Sequence, residues 1–154
     1  MIDPGRASDG IFSQMDLFPT ILTLAGAEER VPSDRFIDGV DQTSFLLAPD
    51  GASNRKYQYY WLGRTFSALR VGEYKFMVAS ISDGDHDVLN PGGFTGVSQK
   101  YPYGRLYNLY LDPKETRSYL IRKLAYLESF QSGMRNHLKT FKTYPPKVVV
   151  GLGG

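Results

Sequence analysis

The chain has 154 residues, of which 42% are hydrophobic, 22% charged and 14% aromatic, a composition that fits one globular domain able to bury about 68–70% of its extended-chain surface. Net charge is +2 but uneven: residues 1–54 hold 3 basic and 9 acidic side chains, and residues 117–154 hold 7 and 1. The absence of cysteine excludes disulfides, thiolate metal sites and thiol nucleophiles, and two histidines, His86 and His137, exclude a multi-histidine metal site built by this chain alone.

The first element is read at SQMDLFPTILTLAG, residues 13–26. Leu17, Ile21 and Leu24 share one face at helical spacing, with Phe18 and Leu22 beside them. Pro19 would cost ~3 kcal/mol in a helix interior but is tolerated in the first turn, where its missing N–H has no intrahelical partner. The helix is therefore expected to start at Leu17 to Pro19, with Asp16 as N-cap and Gly26 as C-terminal cap. Residues 27–56 read as a loop with an Asp38-Gly39 turn, one helical turn at 43–47 and a Pro-Asp-Gly turn.

Residues 57–111 read as a sheet. Strands are expected at Tyr57 to Trp61, Phe66 to Val71, Tyr74 to Ala79 and Arg105 to Leu111, with Gly72-Glu73 as a hairpin turn. Residues 80–104 form a Gly-, Asp- and Pro-rich excursion, too long for an ordinary connection. Residues 112–146 read as one long helix. Asp112 is its expected N-cap, Pro113 its first residue and Glu115 the partner in a capping box. Leu120, Leu124, Leu127, Gln131, Met134, Leu138 and Phe141 give its stripe, and Gly133 leaves room for close packing. Tyr144-Pro145-Pro146 ends it, and 147–154 is a tail. The expected fold class is α+β: a short N-terminal helix, a roughly four-stranded antiparallel sheet, and a long C-terminal amphipathic helix packed on the sheet.

Candidate chemistry is sparse. Asp83, Asp85, His86 and Asp87 are the densest group of metal-ligand types, but an EF-hand loop from Asp83 needs an acid where Phe94 stands, so the group reads as a solvated loop tip. Asp34, Asp38 and Asp41 lie in a turn-rich loop, where Asp serves backbone turns. No serine sits in a nucleophile-elbow pattern and no glycine loop has the context of a phosphate cradle. Arg122, Lys123, Arg135, Lys139 and Lys142, with Tyr126 and Tyr144, give the last helix a basic face, a solvated face or, alternatively, a surface for an anionic polymer.

Several segments, in order, resemble the C-terminal part of type I sulfatases, the arylsulfatase family. MDLFPTILTLAG resembles that family's D-x-x-P-T-x-x-x-x-A-G helix, and Asp38-Gly39-Val40-Asp41 with Ser44-Phe45-Leu46-Leu47 resembles its DG-x-D loop and apolar turn. Ala68 to Lys75 (ALRVGEYK) is similar to its A-x-R-x-G-x-x-K hairpin, and Leu106-Tyr107-Asn108-Leu109 followed by Asp112-Pro113-Lys114-Glu115 to its L-Y-x-L-x-x-D-P-x-E segment. Pro4-Gly5 matches the family's preceding PG, and the final helix with Tyr144-Pro145-Pro146 resembles a bacterial subset.

The resemblance implies sulfate ester hydrolysis by a formylglycine, made from Cys or Ser in a C/S-x-P-x-R motif, together with a bound calcium ion. It places all of these in the family's N-terminal domain. No C/S-x-P-x-R occurs in the 154 residues, so no catalytic, metal or cofactor residue is assigned here. Asp16 and Asp38 match family positions with structural roles. The chain is thus expected to be inactive alone, to expose an apolar, tyrosine-rich face, and to pair with itself or with a separate sulfatase catalytic chain. Neither nucleic acid nor a membrane is expected as a partner: no apolar run approaches the roughly 18 residues of a span. Residues 1–10 lack the pattern of a signal peptide. As written the chain is expected in the cytoplasm, whereas the family is often periplasmic or secreted.

Overall fold

The structure is a computed structural model describing residues 2, 4–81, 98–120 and 125–145. Four strands, β1 (Gln58–Leu62), β2 (Thr65–Val71), β3 (Tyr74–Ile81) and β4 (Ser98–Asn108), form an antiparallel sheet in chain order. A short helix α1 (Leu17–Leu24) and a single helical turn α2 (Thr43–Leu47) precede it, and a longer helix α3 (Leu127–Thr143) packs on one face. The core between sheet and α3 is Leu69, Leu106 and Phe130, ringed by Tyr57, Tyr59, Phe66, Val71, Tyr74, Phe76 and Leu120. Much of the aromatic excess is therefore spent on half-buried sheet positions, as expected of Tyr and Phe.

β1, β2 and β3 differ from the expected strands by one or two residues, and the larger change is in β4. β4 starts at Ser98 rather than Arg105 and ends at Asn108 rather than Leu111. Its early half is masked in sequence by Pro102 and Gly104. They fall where the register of β3 against β4 slips between Met77 and Ala79, so the proline interrupts no regular ladder, and β4 lies at the sheet's edge. At the other end the Asn108 side-chain oxygen accepts the N–H groups of Tyr110 (3.0 Å) and Leu111 (3.1 Å), turning the chain away.

The long helix also starts later. Asp112-Pro113-Lys114-Glu115 is a turn, not a helix start. The Asp112 carboxylate accepts from Thr116 Oγ1 (3.0 Å) and Arg117 N–H (2.7 Å), and Glu115 has a positive φ of 57°, which stops a helix. Glu115 does not complete a capping box; it pairs with Lys75 at 2.7 Å. The chain then runs along the outer edge of β4, where Tyr119 N–H donates to the Leu106 carbonyl (2.7 Å), covering a strand edge that would otherwise be open. The inward stripe of α3 is Phe130, Gly133 and His137, rotated from the expected one; Leu138 is 43% exposed. Gly133 does allow close approach: a Cβ there would lie 2.7 Å from the Tyr57 ring and 3.0 Å from Leu69.

At the N-terminal side, Pro19 does lie in the first turn of α1, and the Gly26 and Ala27 N–H groups close the helix on the Thr23 (3.0 Å) and Leu22 (2.9 Å) carbonyls. Asp16 precedes α1 as expected, but its side chain makes no cap hydrogen bond to the helix. It is fully buried, and its carboxylate accepts from Ser13 N–H (2.9 Å), Val40 N–H (2.8 Å) and Arg55 Nε (2.9 Å), with Arg55 Nη2 also bonded to it. Arg55 in turn donates to the carbonyls of Asp38 (2.7 Å) and Tyr57 (3.2 Å). One ion pair thus ties the start of α1, the 38–42 loop and the entry to β1. Gly39 fits because a Cβ there would collide with the Met15 carbonyl oxygen. Burial alone would raise the Asp16 pKa; the hydrogen bonds from Arg55, Val40 and Ser13 outweigh it and hold the pKa at about 2.

Because the folded pKa lies below the unfolded value of about 3.9, the pair stabilises the fold above that value and this contribution drains away as pH falls toward 2. Arg55→Met should cost about 3–5 kcal/mol at pH 7, since it strands a buried carboxylate. Asp16→Asn should flatten the loss of stability between about pH 4 and 2. Urea unfolding across pH reads both, and a cost under about 1 kcal/mol for Arg55→Met would contradict the assignment.

Candidate functional site

The feature with most chemical character is a cavity of about 670 Å³ between the 34–38 loop and the last turns of α3. The loop is fixed from below by Arg55, which holds the Asp38 carbonyl. The helix is fixed by Phe130 and Gly133 against the sheet. Between them the walls are Asp34, Arg35, Phe36, Asp38, His137 and Tyr144, with Phe141 and two threonines behind. Phe36 and Tyr144 face each other with ring centroids 6.3 Å apart. Arg35 is held in a two-point pair by Asp34, at 2.9 and 2.8 Å. The Asp38 carboxylate lacks a hydrogen bond among the described residues.

His137 is the chemical oddity. It is 6% exposed, and neither ring nitrogen has a hydrogen-bond partner among the described residues. Its ring stacks on Tyr59 of β1 at 3.8 Å and 8°, with Trp61 and Phe141 at 5.8 and 5.2 Å. Burial lowers its pKa, opposed by the negative charge of Asp38. Sequence reading missed His137 as a wall residue because it followed the neighbouring stripe. The 130, 133, 137 spacing was the available signal.

The other candidates do not converge. Asp41 makes a turn, accepting Thr43 N–H (3.0 Å) and Thr43 Oγ1 (2.6 Å) at the start of α2. Arg135, Lys139 and Lys142 point to solvent along α3. The group Asp83, Asp85, His86 and Asp87, most of the 80–104 excursion, Arg122, Lys123 and the tail beyond Pro145 lie outside the described residues. Among the described residues no three His, Cys, Asp or Glu side chains are placed to hold a metal ion. The described residues therefore do not fit the calcium that the resemblance implies.

A second surface stands out. Met15, Leu17, Phe18, Ile21 and Leu24 are 43–58% exposed, while Pro19 and Thr20 are the buried residues of α1. The apolar stripe of α1 thus faces outward. It is mostly aliphatic, and Tyr57, Tyr59, Tyr60 and Tyr74 are half-buried in or beside the sheet.

A histidine kept neutral by burial binds its proton less readily folded than unfolded. Folding should therefore weaken as pH falls below about 6.5, and this loss should vanish in His137→Phe. Thermal melts at pH 7.5 and 5.5 measure it. An equal drop in Tm for both proteins would refute the reading.

Residues 67–142 match the family model described as the sulfatase AslA C-terminal domain. Pig (Sus scrofa) N-acetylgalactosamine-6-sulfatase is 42% identical over 74 residues, 48% of this chain and 13% of that enzyme. Rat (Rattus norvegicus) steryl-sulfatase is 38% identical over 69 residues, 45% of this chain and 12% of that enzyme. The match thus spans about an eighth of each curated relative's length. The PsFucS1 sulfatase of Pseudoalteromonas sp. superposes with a TM-score of 0.79 at 30% identity, covering 88% of this chain and 27% of that one. The matched region takes in most of the β2–β3 hairpin, the edge segment and all of α3 but its last residue, and together with these relatives it supports the chain as a C-terminal part of a sulfatase.

Proposed function

We propose that this domain is non-catalytic by itself and serves a sulfuric ester hydrolase as a packing domain, docking on the catalytic part through the outward face of α1. The observation that carries this reading is the α1 stripe. Four large apolar side chains, Leu17, Phe18, Ile21 and Leu24, stand half-exposed on one short helix. A contiguous apolar surface of this kind marks an interaction site. Its fit to a catalytic partner is supported by extent: 88% of the chain superposes on 27% of the PsFucS1 chain, which leaves the larger share of that sulfatase to supply the contact. No formylglycine motif occurs in these 154 residues, consistent with chemistry performed elsewhere. The partner surface is covalently continuous with this domain or is a separate chain; the physics of the contact is the same.

Without that partner, the stripe should drive self-association. Sedimentation at high micromolar concentration should show oligomers for the parent chain and monomers for Leu17→Asp/Ile21→Asp. The variant's Tm should be nearly unchanged, because both positions are exposed. A strictly monomeric parent, or hydrolysis of an aryl sulfate by the purified chain, would overturn the reading.

A further inference from the structure

His137 joins two features that the docking face of α1 does not use, the aromatic stack on β1 and the cavity at the end of α3. Its ring lies flat on Tyr59 at 3.8 Å, with Trp61 and Phe141 around it, and neither nitrogen has a hydrogen-bond partner among the described residues. It also forms a wall of the cavity that Asp38 lines from the 34–38 loop. We propose that His137 is an acid-operated latch on the end of α3. Neutral, it rests on Tyr59. Protonated, it leaves the stack and pairs with the Asp38 carboxylate across the cavity, drawing the last turns of α3 toward the 34–38 loop.

The neutral ring suits the stack, because face-to-face contact with Tyr59 asks for no hydrogen bond. An imidazolium does not suit it. Both nitrogens are then donors, and a buried charge without an acceptor is costly. Attraction to the surrounding aromatic rings offsets part of that cost but bonds neither N–H. The cavity gives the charged ring somewhere to turn.

The charges facing His137 decide where it goes. From β1 comes the Tyr59 hydroxyl, which burial pushes up to about 12, so it stays neutral. From the loop come Asp34, Arg35 and Asp38. Asp34 and Arg35 pair at 2.8 Å and offset each other. On α3 itself Arg135, Lys139 and Lys142 are exposed to solvent. Asp38 is left as the carboxylate that attracts a proton to His137, against the opposing effect of burial. Its backbone cannot travel far, because Arg55 holds its carbonyl at 2.7 Å. Phe130 and Gly133 likewise hold the earlier part of α3 to the sheet. Movement is therefore confined to the His137 side chain and the turns that follow it.

The test is a proton NMR titration of the whole chain from pH 7.5 to 4.5, above the range in which the Asp16–Arg55 pair gives way. The chain has two histidines, and His137→Phe assigns their signals. Contacts between the His137 and Tyr59 rings should be present at pH 7.5 and lost at low pH, with a midpoint below about 6.5. Trp61, the single tryptophan, lies 5.8 Å from His137, so its emission should change at the same midpoint and stay flat in His137→Phe. Asp38→Asn should lower the midpoint by about 0.5 pH unit, because it removes the attracting charge. Far-UV circular dichroism should stay constant across the transition. Ring contacts that persist to pH 4.5, an unchanged midpoint in Asp38→Asn, an equal emission change in His137→Phe, or loss of the circular dichroism signal at the same midpoint would each overturn the proposal.

Discussion

Asp16 and Arg55 form the interaction on which the N-terminal third depends. Asp16 has no exposure at all, and every stable arrangement of a buried carboxylate requires donors around it. Those donors come from Ser13, Val40 and Arg55, on three segments that Gln42 also links through Thr20 and Ser53. Satisfying the charge therefore decides how α1 lies. Thr20, one turn after Asp16, is drawn inward, where its hydroxyl accepts from Gln42 N–H at 3.0 Å. The polar side of α1 becomes the inner side, and Leu17, Ile21 and Leu24 are left outside.

The sheet and α3 follow a more ordinary logic of apolar burial. Phe130, Leu69 and Leu106 close the core, and Gly133 lets the helix approach the Tyr57 ring. At the far end of that contact His137 replaces what could be a wholly apolar residue. The 34–38 loop, held in place by Arg55 through Asp38, forms the opposite wall. The buried ion pair and the cavity are thus connected through one backbone carbonyl.

Much of the fold was legible in the sequence because the signals were local. The hairpin at Gly72, the first-turn proline and the helical turn at residues 43–47 each follow from a few neighbouring residues. What was not legible depended on partners distant in sequence. Glu115 looks like a capping-box acid until Lys75, forty residues earlier, claims it. Pro102 and Gly104 look like loop residues until the slipped register of β3 accommodates them. The α1 stripe looks like core until Arg55 supplies a charge that pulls the opposite side inward. The acids of the 34–41 region were noticed, but the cavity wall needed His137 and Tyr144 from a helix a hundred residues away.

A family resemblance carried by short motifs and a fold with an apolar helix face turned outward both support the proposal that this region packs against the rest of a larger sulfatase. The central structural claim is the inverted orientation of α1. Because the chain has no cysteine, Ile21→Cys and Thr20→Cys each introduce one thiol. Thiol labelling of the folded chain under native conditions, at low micromolar concentration, tests the claim directly. The account predicts rapid labelling at position 21, and at position 20 labelling only as fast as the protein opens. Rapid labelling at 20 with protection at 21 would contradict it.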